Sequence, residues 1–222
     1  MNIVNLFGRG PSLKHFKILG DCQTVVLSNN LDKEISQVEK FSEYLQDKKI
    51  HLCLNMVVGG ARGYHSIDFF NRFNVTKLIR PYLEGVRVPG SSGQNIPLEE
   101  TFLGKNHMEF MYTDLKYPYD YTGTGIAAFA HSLLDCSADV VNVIGIDFYN
   151  NLNYGVANYL VSDAAEWQVD FFGENRMQEN FCKLVDGHPN IQVNLNTICK
   201  DFIDGMEDIK NLNINVIGEK DE

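Results

Sequence analysis

Short, mostly apolar runs alternate along the chain with segments whose apolar residues return every third or fourth position. The runs fall at residues 3–7, 24–28, 50–58, 140–146 and 191–195. A run that is apolar at successive positions buries both of its faces, which predicts strands of a parallel sheet covered by helices on each side. Between the runs, Leu31, Ile35, Val38, Phe41 and Leu45 define one face of a helix. Residues 125–136 contain Ile126-Ala127-Ala128-Phe129-Ala130 and predict a small-residue helix packed closely on the sheet. Met177, Phe181, Leu184 and Val185 predict another helix, ending at a Gly187 C-cap with Pro189 beyond it. Residues 212–216 suit a last strand before a charged end.

This alternation predicts an α/β fold with a doubly wound, mostly parallel, Rossmann-like sheet. The expected organisation is a single domain over residues 1–222. Residues 151–173 lack a clean period and read either as a small lid or as a plain surface loop. Residues 91–124 are rich in Gly, Pro, Asn and Tyr and are expected to be irregular, or partly strand-like around 109–113.

In a doubly wound fold, ligands gather at the carboxyl ends of the strands. The first such end carries Gly8-Arg9-Gly10-Pro11-Ser12-Leu13. Pro11 suits a first helical position, where its missing N–H costs nothing. The glycines let backbone approach a ligand closely, and the N–H groups of a helix start attract an anion. The six residues thus fit a phosphate or nucleotide seat, and they equally fit a tight βα turn with no ligand. They lack the Lys-Ser/Thr ending of nucleoside-triphosphate loops and the third glycine of dinucleotide loops. Thr122-Gly123-Thr124-Gly125 opens the small-residue helix and fits either an anion-binding helix start or simple N-capping. Gly145-Ile146-Asp147-Phe148-Tyr149 closes a core strand, and Asp147 is expected to hold the neighbouring loop through backbone hydrogen bonds. Gly59-Gly60-Ala61-Arg62-Gly63 reads as a glycine-rich surface turn or a phosphate-facing loop.

Composition narrows the function. The net charge of −10 and the lack of a basic tract argue against broad nucleic-acid binding. No apolar run is long enough to span a bilayer. The N-terminus reads as a strand and not as a secretion signal, and the five scattered cysteines form no CxxC pair. Free thiols in a reducing cytoplasm are therefore expected, with no metal site.

Taken in order, these blocks resemble the bacterial sialyltransferases of glycosyltransferase family forty-two. Those enzymes carry a Gly-Asn-Gly-Pro-Ser-Leu-Lys turn, matched by Gly8 to Lys14. They carry an Asn after the second strand, matched at Ser28-Asn29-Asn30. They have a Thr-Ser-Gly helix start, a small-residue helix and a strand ending Gly-Ile-Asp-Phe-Tyr, matched at Thr124-Gly125 and at Gly145 to Tyr149. The similar segments cover about a third of the chain, and residues 59–121 do not align. The resemblance implies a GT-A-like variant of the fold. It also implies metal-independent, inverting transfer from a CMP-activated sugar donor to a glycan acceptor, with no cofactor, and a homo-oligomer. Gly8, Arg9, Gly10, Pro11, Ser12 and Asn29 would lie against the donor, and Thr124 and Gly125 would hold its carboxylate or phosphate. Tyr149 and Tyr154 would stabilise the departing phosphate.

The chain departs from that family at two places. Arg9 replaces the turn's Asn. Glu174, within Phe172-Gly173-Glu174-Asn175-Arg176, stands where the family has its histidine base. None of His15, His51, His65, His107, His131 and His188 falls there. Glu174 is thus the candidate base, and the alternative is a catalytically inactive nucleotide-binding sensor or accessory protein of the same fold.

Overall fold

A computed structural model describes residues 1–28, 31–53, 69, 72–79, 124–148 and 176–218. The described strands are β1 (Ile3–Phe7), β2 (Thr24–Ser28), β3 (Lys49–Cys53), β4 (Val75–Ile79), β5 (Val140–Ile144), β6 (Gln192–Thr197) and β7 (Leu212–Val216). They form one seven-stranded sheet in the order β4-β3-β2-β1-β5-β6-β7, and every neighbouring pair is parallel. The protein is therefore an α/β protein with a doubly wound, Rossmann-like sheet. The strand order runs outward from β1 in one direction and then restarts at β5 on its other side.

The alternation of strand side chains divides the core between two faces. Val4, Leu6, Val26, Val141, Val143, Val193 and Leu195 point toward α3 (Thr124–Leu134) and α4 (Arg176–Asp186). Phe129 of α3 and Phe181 of α4 stack there with ring centroids 4.3 Å apart. Phe7, Val25, Leu27, Ile50, Leu52 and Ile144 point the other way. They pack toward a 3-10 helix (Pro11–Ile18), α1 (Asp32–Gln37) and α2 (Phe41–Leu45). Each fully buried Phe or Leu side chain contributes about 1.5–3 kcal/mol of transfer free energy, so both layers stabilise the sheet.

The single helix expected over 31–45 is two short ones. Lys40 adopts a left-handed φ of 64° between them. The predicted stripe is nonetheless correct, because Leu31, Ile35, Val38, Phe41 and Leu45 are all buried. The break turns the chain so that both pieces keep that stripe on the sheet. β5 stops at Ile144, two residues before its predicted end, because Gly145 has φ +77° and turns the chain out of the sheet. The helix ending at Asp186 is followed by Gly187, whose N–H bonds the Lys183 carbonyl, but Gly187 is not among the positive-φ residues. β4 was not legible in advance, since its central Lys77 interrupts the apolar pattern. Among the described strands β4 is an edge, where a lysine is expected.

One polar feature crosses the apolar sheet. Asn5, Asn142, Asn194 and Asn213 lie in register on β1, β5, β6 and β7. Asn213 donates its amide to Asn194 at 3.0 Å, Asn194 to Asn142 at 2.8 Å and Asn142 to Asn5 at 2.7 Å. Asn5 in turn donates to the Tyr44 hydroxyl at 2.7 Å and the Gly20 carbonyl at 3.0 Å.

Candidate functional site at the switch point

The order of strands reverses between β1 and β5, the place where doubly wound sheets generally hold their ligands. Gly8–Ser12 leaves β1 there, and Gly145–Phe148 leaves β5 beside it. The two segments meet directly. Gly8 N–H donates to the Ile144 carbonyl at 2.8 Å, and Gly10 N–H to the Gly145 carbonyl at 2.7 Å. A Cβ on Gly8 would collide with the Gly145 backbone, and one on Gly145 with the Gly8 backbone. A Cβ on Gly10 would collide with the Asp147 carboxylate. Close approach of chain to chain thus requires these glycines.

Asp147 is the hub of the contact, as its position at the strand end suggested. One oxygen accepts the Ser12 N–H and the Ser12 hydroxyl, both at 3.0 Å. The other accepts the Thr197 hydroxyl at 2.7 Å and the Ile198 N–H at 3.2 Å. The Ser12 oxygen also accepts the Gly145 N–H at 2.7 Å. Burial pushes the Asp147 carboxyl above its ordinary range, while the Thr197 and Ser12 hydrogen bonds pull it back. β1, β5 and β6 are therefore tied at one end by a single buried carboxylate.

This arrangement changes the expectation for the first turn. The helix after Pro11 is a 3-10 helix, and the anion at its start is the chain's own Asp147. The N–H groups of Gly8, Gly10 and Ser12 are all engaged within the protein. Arg9 is committed as well, since its Nε lies 2.7 Å from the carboxylate of Glu34, a fully buried residue of α1.

The other helix start lies at the same edge. α3 precedes β5 and runs back along the sheet, so its first residues, Thr124 and Gly125, sit near the carboxyl ends of the strands. A Cβ on Gly125 would lie 3.2 Å from Ile146 and 3.9 Å from the hydroxyl of Ser28, the last residue of β2. Thr124 is buried. The dipole of an eleven-residue helix favours an anion at this end. Close by, Phe148 has a left-handed φ of 58°, an uncommon state for a bulky side chain. It is held there by burial and by an edge-on contact with Phe181, with centroids 5.4 Å apart. Such strain collects at functional sites.

The structure thus brings Gly8, Arg9, Gly10, Pro11 and Ser12 beside the end of β5, with Gly125 against Ile146 of the same segment. Asn29, Tyr149, Tyr154 and Glu174, the candidate lid at 151–173 and the loop at 59–63 lie outside the described residues. Among the described residues no helix is long and apolar enough to cross a membrane.

A second cluster was not expected from the sequence. His51 Nδ1 lies 3.0 Å from His131 Nε2, and Cys136 Sγ lies 3.4 Å from His51 Nδ1. His131 Nδ1 is 2.9 Å from the Asp135 carboxylate. Burial holds both imidazoles below their ordinary pKa, His51 at about 3, and pushes the Cys136 thiol up to about 12. The three residues come from a strand, a helix and the connection after it, and no local spacing announces them. The i,i+4 pair His131–Asp135 was the one available signal.

No family model, curated protein or solved structure matches the chain.

Proposed function

We propose that the protein binds a nucleotide-activated sugar at the β1/β5 switch point and transfers the sugar from a cytidine monophosphate donor in the manner of a sialyltransferase. One observation carries this. Two sequence blocks more than a hundred residues apart, Gly8–Ser12 and Gly145–Asp147, meet at the switch point with the start of α3 at the same edge. With the amides of the first turn engaged by Asp147 and the end of β5, the helix start at Thr124 and Gly125 is the better seat for the donor's carboxylate or phosphate.

In the proposed reaction an acceptor hydroxyl attacks the anomeric carbon of the donor, and the bond from that carbon to the phosphate oxygen breaks. Cytidine monophosphate leaves. Tyr149 and Tyr154 donate hydrogen bonds to the phosphate as its charge grows, and so replace a metal ion. Glu174 takes the acceptor proton, which requires a carboxyl pKa raised toward neutrality.

Calorimetric titration with cytidine monophosphate and its sialic acid conjugate tests the binding step. Saturable binding below about 1 mM is expected, and none by folded protein at that concentration overturns it. The second step is read with Glu174→Gln. A donor consumed by the wild type and spared by the variant supports transfer. Binding without turnover in either protein favours the sensor or accessory reading, which the absence of the family histidine also favours.

A further inference from the structure

We propose that His51, His131 and Cys136 form a binding site for a borderline-soft divalent cation of the zinc type. The inference is independent of the nucleotide reading, because the cluster lies lower in the sheet. His131 is seven residues along α3 from Thr124, about 10 Å at the rise of an α-helix.

The geometry carries the inference. All three donor atoms lie within 4.8 Å of one another. In a tetrahedral zinc site two imidazole nitrogens stand about 3.3 Å apart and a nitrogen and a thiolate sulfur about 3.6 Å, from the usual bond lengths. The observed 3.0 and 3.4 Å are a few tenths shorter and the third separation stays within 4.8 Å, so side-chain adjustments of about 1 Å or less admit the ion. Two nitrogens and one sulfur suit zinc better than magnesium or calcium, which take oxygen.

The surroundings fit as well. Asp135 accepts from His131 Nδ1, which leaves the Nε2 lone pair aimed at the cluster. A carboxylate behind a ligating histidine is the usual outer partner at such sites. With His131 in that tautomer, the 3.0 Å contact requires His51 Nδ1 to carry its hydrogen toward His131 Nε2. When the cation enters, the His51 hydrogen moves to Nε2 and the Cys136 thiol proton goes to solvent, so one proton is released for each cation bound. The charges then balance. The Cys136 thiolate and the Asp135 carboxylate together offset a dication that would otherwise be costly to bury. Lys77, the register partner of His51 on β4, and Lys49, two residues before His51 on β3, are the positive charges that oppose the cation. Three protein ligands leave a fourth coordination position to be filled by water or another small donor.

Cobalt(II) is the probe, added to chelator-treated, reduced protein. Uptake of about one equivalent is expected, with visible d–d bands of tetrahedral intensity and a sulfur-to-cobalt charge-transfer band in the near ultraviolet. Zinc should displace the cobalt. Cys136→Ser, a conservative change at a half-buried site, should remove the charge-transfer band while near-ultraviolet circular dichroism stays native. Asp135→Asn should weaken cobalt affinity about 10- to 100-fold with the bands retained. Cys182→Ser, a thiol elsewhere on α4, should change nothing. No charge-transfer band in the folded wild type overturns the site, and so does a band that survives in Cys136→Ser.

Discussion

The Ser12 hydroxyl donates to Asp147 at 3.0 Å while accepting the Gly145 N–H at 2.7 Å, so one small side chain fastens the exit of β1 to the exit of β5. Asp147 is buried and accepts four hydrogen bonds. Its removal leaves two backbone N–H groups without their acceptor. Asp147→Ala is expected to cost more than about 3 kcal/mol, and Ser12→Ala about 1–2 kcal/mol. Urea unfolding of both single variants and the double variant should give a coupling energy of at least about 1 kcal/mol. Additive losses would show that the two side chains act separately.

The close passage of Gly8 past Gly145 makes a second expectation. Gly145→Ala meets the Gly8 backbone and also holds a positive φ, so it should destabilise by more than about 3 kcal/mol or prevent folding. Gly8→Ala should do nearly as much. Gly20→Ala has open space around its Cβ and should be tolerated within about 0.5 kcal/mol. Thermal melts of the three variants check the order, and an equal loss at Gly20 would contradict it.

Arg9 and Glu34 make a third. The pair joins the first turn to α1 with one partner fully buried, so Arg9→Ala leaves a buried carboxylate without its cation and should cost about 3 kcal/mol. The exposed pair Lys17–Glu39, at 4.0 Å, should be worth less than about 0.5 kcal/mol by the same chemical-denaturation measurement. A comparable loss from Lys17→Ala would refute the distinction.

The pH dependence of stability has a definite sign. Burial raises the thiols of Cys22 and Cys53 above their ordinary value of 9.0. Burial, helped by the Cys22 contact, raises the Tyr44 phenol above 10.0. Each group keeps its proton in the folded chain at a pH where the unfolded chain has lost it. Stability is therefore full below about pH 9 and falls as pH rises, by up to about 1.4 kcal/mol per unit for each group. Urea unfolding from pH 7 to pH 11 should follow this decline. Tyr44→Phe should flatten the part above pH 10, and an unchanged slope there would exclude the phenol.

The fold was largely legible because a buried parallel strand needs little beyond an apolar run of five. Ile3–Phe7 and Thr24–Ser28 match the observed strands residue for residue, and so does the edge strand Leu212–Val216, which is mostly exposed and alternates apolar residues with asparagine. Where the sequence misled, backbone dihedrals decided. Lys40 and Gly145 turn left-handed, and neither leaves a trace in hydrophobic periodicity. At the switch point Asp147 was legible as a loop holder, since its place at a strand end implies unpaired donors nearby. That its partners would include Ser12 of the presumed phosphate turn was not. Whether a turn's amides face a ligand or the neighbouring strand depends on which strand lies beside β1, and that is a matter of topology. The His51–His131–Cys136 cluster was hidden for the same reason.

The asparagine file across β1, β5, β6 and β7 has a direction, because every amide hands its hydrogens toward Tyr44 and Gly20. Hydrolysis of Asn142 to aspartate, a slow chemical ageing of asparagine, would set a carboxylate oxygen against the Asn5 oxygen with no hydrogen between them. Asn194 would keep an acceptor, but the relay would stop at the sheet's midline. The continuity of the file is thereby tied to one side-chain amide on β5.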